Sequence, residues 1–86
     1  IKTANTSDKF VGMVTLGIDA STAGKQFVPA TANNEVNLNG EAGASVATTG
    51  GLKGSRIKFT AIAANLYAVE GLLNATGSLA TPFDSQ

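Results

Sequence analysis

The sequence predicts an all-β protein, a small antiparallel β-sandwich or barrel with extended N- and C-terminal arms. Three observations predict it. Side chains alternate between two faces over Phe10–Ile18, Arg56–Ala61 and Leu66–Leu73, the period of a strand rather than a helix. Clusters rich in Gly and Asn separate these runs, as turns do. The rival reading, a helix over Ala61–Asn74, rests on the spacing of Ile62, Leu66, Val69 and Leu73 and on good helix formers. Asn65 inside that stretch and Gly71 near its end favour strands instead.

The elements follow in order. Residues 1–9 are polar, with Thr3, Asn5, Thr6, Ser7 and Asp8, and read as an arm led by one apolar anchor, Ile1. In Phe10–Ile18, Phe10, Val14, Leu16 and Ile18 share one parity and Val11, Met13 and Thr15 the other. That is a strand buried on one face and partly covered on the second. Asp19–Gly24 is a turn by composition. Gln26–Val28 is a short strand stopped by Pro29. Glu35–Leu38 is another, ended by Asn39-Gly40, a hairpin signal because both residues tolerate positive φ. Ala44–Thr48 is expected to return from that hairpin. Gly50, Gly51 and Gly54 bracket a further turn.

Arg56–Ala61 then alternates, with Ile57, Phe59 and Ala61 on one side and Arg56, Lys58 and Thr60 on the other. Ala63-Ala64-Asn65 turns the chain into Leu66–Leu73. There Glu70 lies on the face that pairs across to Lys58 or Arg56. Phe59, Val69 and Ile57 are the expected core. One domain results: an N-terminal arm over residues 1–9, a β core over 10–78 and a C-terminal arm over 79–86.

Composition narrows the function. Eighty-six residues allow one domain, and a domain this small buries only about 60–65% of its unfolded surface. Such domains rely on disulfides, metals or oligomerisation. The chain has no Cys and no His, which removes disulfides, thiolate sites and the commonest metal ligand and general base. Oligomerisation remains, and a homo-oligomer is expected, with a trimer favoured. Six basic residues balance six acidic ones without a block of either sign, so the electrostatic footprint of nucleic-acid or anionic-membrane binding is missing. No apolar run is long enough to form a spanning helix. Charged residues make up 14% of the chain against about 25% in typical domains, which suggests a surface partly covered by partners.

No motif carries chemistry. Gly17–Lys25 has the wrong spacing for a phosphate loop, and Gln26 stands where a hydroxyl residue is required. Gly50-Gly51-Leu52-Lys53-Gly54 leads into an alternating strand, whereas an anion-binding nest normally leads into a helix. Asp8, Asp19, Glu35, Glu41, Glu70 and Asp84 are scattered, with no spacing that suggests a carboxylate pair. Asn5-Thr6-Ser7 and Asn74-Ala75-Thr76 fit the glycosylation pattern, which is common by chance in chains rich in Asn and Thr. The threonines show no period of the kind a repetitive adhesive surface needs. No catalytic, cofactor-binding or metal-binding residue is assigned, and an enzyme is not expected.

Residues 50–83 combine turn glycines, an alternating strand, an Asn-containing turn, the strand Tyr67-Ala68-Val69-Glu70-Gly71 and a closing Thr76-Gly77-Ser78-Leu79-Ala80-Thr81-Pro82-Phe83. This stretch resembles the closing part of small head decoration, or cement, proteins of tailed bacteriophages. It differs in carrying Tyr67 where comparable chains tend to have Trp. The resemblance implies a structural virion protein on the capsid surface that binds the major capsid protein and bridges its neighbouring subunits. A tail, fibre or adaptor component is the alternative within phage biology. A carbohydrate- or receptor-binding β domain using Tyr67 and Asn65 is the alternative from another class.

The expected intermolecular contacts are Ile1 at one end and Leu79, Pro82 and Phe83 at the other. Pro82 cannot donate to a ladder, and Phe83 is poorly suited to water, so a neighbour's pocket is the expected place for it.

Overall fold

The computed structural model describes residues 1–18, 23–40 and 47–86. It is all-β, as the alternation predicts. Six strands follow one another: β1 (Lys9–Ile18), β2 (Gly24–Phe27), β3 (Glu35–Val36), β4 (Ala47–Ala63), β5 (Leu66–Thr76) and β6 (Phe83–Asp84). Four of them form a sheet in the order β2-β1-β5-β4, and β3 pairs with β6 in a smaller one. The rival helix over 61–74 is absent. Asn65 takes the left-handed conformation, with φ 57°, and turns β4 back into β5.

The large sheet is mixed rather than purely antiparallel. Its two central strands, β1 and β5, run parallel from Lys9↔Leu66 to Ile18↔Ala75, while β2 and β4 flank them in antiparallel fashion. The local signals report alternation and turns. They are silent about which strands become neighbours when the partners are distant in sequence.

Alternation decides the core. Residues opposite each other on paired strands share a face. Phe10, Val14 and Leu16 from β1 meet Val69, Leu73 and Ala75 from β5 on one face, all buried. Val36 and Phe83 from the small sheet close over them. Ile57 and Phe59 pack against this cluster but remain partly exposed, so of the three expected core residues Val69 alone is fully inside. Phe10 is the aromatic hub. Its ring lies 5.3 Å from that of Phe59 and 6.5 Å from that of Phe83, the latter edge-on. Each such pair adds about 0.5–1.5 kcal/mol beyond burial.

The glycines expected to make a turn after Thr49 lie inside β4. They serve as irregularities in one long strand. The pairing of β4 with β5 shifts between Ala47 and Leu52 and again between Leu52 and Arg56. Gly50 and Gly51 have φ of 96° and 103° there, and a Cβ on Gly50 would stand 2.8 Å from that of Leu73. Extra residues of this kind bend a strand and increase its twist. Asn39-Gly40 lies where a returning chain would place it. Asn39 exchanges hydrogen bonds with Thr49 and donates through Nδ2 to Thr48 Oγ1, and the Gly40 amide donates to Gly50 O. Residues 41–46, and with them the start of the expected strand 44–48, lie outside the described residues, as does most of the Asp19–Gly24 turn.

Both expected arms are folded onto the body. The backbone of Ile1 exchanges hydrogen bonds with Val36, and Thr3 N donates to Asn34 O. On the other side Asn34 N donates to Asp84 O and Asn37 N to Pro82 O. Residues 34–37 are therefore sandwiched between the two chain ends. Asn34 is buried, and its side chain fastens both: Nδ2 donates to Thr6 O, and Oδ1 accepts from the Gln86 amide. The Gln86 carboxamide donates in turn to Thr3 and Asn5. Polar composition at the ends is what allows this, because every buried polar atom there finds a partner.

Two outcomes are expected. Asn34→Leu strands the Gln86 amide and Thr6 O and should lower stability by about 1–3 kcal/mol. Urea unfolding should show a lower midpoint at an unchanged m-value. Gly12→Val should be more damaging than its half-exposed surroundings suggest. Gly12 has φ 111°, and a Cβ there would sit 2.2 Å from Val69 O, inside the central parallel pair. Its cost is expected to exceed about 2 kcal/mol in the same assay.

Candidate interaction surface

The same alternation that fills one face of the large sheet leaves the other uncovered among the described residues. The register sets Val11, Ala68 and Thr60 in one row across β1, β5 and β4. Met13, Glu70 and Lys58 form the next row, and Thr15, Leu72 and Arg56 the third. Among the described residues six large apolar side chains stay exposed, and four are on this face: Leu72 at 64%, Ile62 at 55%, Met13 at 46% and Val11 at 40%. Single exposed apolar residues are ordinary. These are adjacent in register, which makes them a patch.

Two shallow depressions of about 450 and 420 Å³ open on this face and share Met13 and Glu70. They are broad and unenclosed, whereas a small-molecule site buries most of its ligand. Lys58 Nζ stands 3.9 Å from Glu70 Oε1, with both side chains more than two-thirds exposed. Such a pair contributes at most about 1 kcal/mol. It keeps the middle of the face wet in the free chain and leaves both groups available to a partner. Among the described residues no three acidic side chains cluster in a way that would hold a metal ion.

The expected contact residues are dispersed. Ile1 is exposed at 60% and lines a notch of about 220 Å³ with Phe10, Phe59 and Tyr67. Leu79 is half-buried against the core. Phe83 is 5% exposed and Pro82 is buried as well, so both are used within their own chain. The reason is β6: pairing Val36 with Phe83 aims the ring at Phe10. The segment expected to reach a neighbour's pocket instead completes this molecule's core. The surface that sequence reasoning missed is the open face. Its signal was already visible as Val11 and Met13 on the minor parity of β1 and Leu72 on that of β5.

The fold defines a small all-β domain with a mixed four-stranded sheet covered on one side. No family model matches the chain, and no curated protein or solved structure matches it.

Deleting residues 79–86 is expected to abolish the cooperative thermal transition, because it removes Phe83 from the core and Gln86 from Asn34. Phe83→Ala alone should cost about 3–5 kcal/mol. A truncated chain that melts as the intact one does would return these residues to the role of an arm.

Proposed function

We propose that the protein is a non-enzymatic structural module of a tailed-phage virion that docks on the outer surface of the capsid. The observation that carries the reading is the open sheet face, where Val11, Met13, Ile62 and Leu72 are exposed together beside Arg56, Lys58 and Glu70. Exposed apolar side chains clustered on a face that also carries charged groups suit a protein partner that covers a folded domain. The resemblance of residues 50–83 to head decoration proteins supplies the class of that partner, the major capsid protein. Low charge and the absence of Cys and His agree with a module that acts by contact. In this reading copies gather as a homo-oligomer, a trimer being favoured, and bridge neighbouring capsid subunits. Tyr67 is half-buried against the core beside Phe10 and Phe59, which does not favour a carbohydrate groove built on it.

The test is co-sedimentation of the purified chain with phage heads stripped of their accessory surface protein, followed by an electron-microscopy map. The expected result is saturable binding, with density that places the open face against the shell. Failure to bind heads, or density confined to the tail, overturns the reading. Met13→Glu combined with Leu72→Glu should leave stability within about 1 kcal/mol, since both sites are exposed. Head binding should be lost.

A further inference from the structure

We propose that the outer edge of β4, over Arg56–Ala61, accepts an extended acidic segment of a partner protein as an added strand of the large sheet. β4 is the last strand of that sheet, and among the described residues its only strand partner is β5. On its far side, backbone bonds from Gly40 and Ala80 reach Gly50 and Thr48, at its beginning. Among the described residues none bonds to the far side of Arg56–Ala61. Here β4 also pairs with β5 without a register shift, from Arg56↔Leu72 to Ala61↔Tyr67. The irregularities that blunt an edge lie before and after this stretch. Alternate residues of it therefore present unpaired N–H and C=O groups in regular strand geometry, the template that strand addition uses.

Charge selects the occupant. Lys53, Arg56 and Lys58 are all exposed, and Ala47–Ala63 contains no acidic residue. Glu70 beside Lys58 is the one countercharge paired with them among the described residues. Lysines on an edge strand also keep copies of a protein from pairing, and here they act in that sense. An antiparallel self-pairing centred on Ile57 sets Arg56 against Lys58 of the other copy, and one centred on Lys58 sets that residue against itself. Like charges directly opposite are destabilising. The same charges favour a strand that carries Glu or Asp. The inference does not depend on what covers the open face, because backbone groups at the sheet edge read it.

The experiment uses the intact chain, labelled for nuclear magnetic resonance, and a capped peptide of alternating valine and glutamate. Two controls are the same peptide with lysine for glutamate, and the glutamate peptide N-methylated at alternate positions. The glutamate peptide should slow amide exchange at alternate residues of Arg56–Ala61. It should bind roughly tenfold or more tighter than the lysine peptide at low salt, the gap narrowing as salt rises. The double variant Arg56→Glu/Lys58→Glu, with both sites exposed and folding checked by circular dichroism, should reverse the preference. N-methylation should abolish binding, which separates strand pairing from simple charge attraction. Equal binding of the N-methylated peptide, or no preference between glutamate and lysine, overturns the proposal. So do shifts confined to Val11, Met13 and Leu72, or self-association of the chain that by itself slows amide exchange at Arg56–Ala61.

Discussion

The structure depends on the parallel pairing of β1 with β5. Neighbouring parallel strands cannot be joined by a tight turn; the chain must leave the sheet and come back. Here β2, β3 and β4 all lie in the sequence between the two strands. β2 and β4 flank the central pair, and β3 crosses to the covered side. The pair itself is held by side chains of one parity, Phe10, Val14 and Leu16 against Val69, Leu73 and Ala75. A one-residue slip between β1 and β5 would turn that entire set outward. A Cβ at Gly12 would stand 2.2 Å from Val69 O, so a slip that put a larger residue there would be opposed by sterics as well as by burial.

A core built this way is open at the side where the chain ends meet, and the chain has no disulfide to close it. Closure falls to Asn34 and Phe83. Asn34 bonds to Thr3, Thr6, Asp84 and Gln86, residues from opposite ends of the sequence. Phe83 brings the C-terminal segment onto Phe10. A buried amide is a costly group unless it is satisfied, and satisfying it requires both ends in place at once. The arrangement couples the termini to each other and to the core. Because these contacts are distant in sequence, they are expected to form late in folding.

Much of the fold was legible. Phe10–Ile18 matches β1 closely, the Asn65 turn and the strands on either side are where alternation puts them, and Pro29 follows a short strand. The inward face of β1 and β5 was also visible from parity, as Phe10, Val14, Leu16, Val69 and Leu73 show. What was not legible was long-range. Gly50, Gly51 and Gly54 look the same in sequence whether they end a strand or kink one. Deciding between these needs the position of β5, which continues alongside. The polar N-terminus and the Pro82-Phe83 pair read as arms because nothing local reveals that Asn34, more than 30 residues from Thr3, will hold them. The open face was half legible. The minor-parity residues Val11, Met13 and Leu72 were in view, but whether a second layer covers them depends on where the remaining chain is spent.

That last dependence carries the functional argument. Among the described residues the small sheet and both ends of the sequence lie on the side facing Phe10 and Leu16. The other side carries Glu70 at its centre, paired with Lys58, with Val11, Met13 and Leu72 exposed around it. An apolar face without those charges would invite indiscriminate association. A fully charged one would hold no partner firmly. A mixture of exposed apolar and charged groups is the kind of patch that marks an interaction surface. The flanking strand β4 follows the same logic at the sheet edge: its regular backbone offers pairing, and Lys53, Arg56 and Lys58 restrict which strand can take the offer. Burial and register thus leave one face exposed and, among the described residues, the outer edge of β4 unpaired over Arg56–Ala61, while the ends of the sequence hold the molecule together.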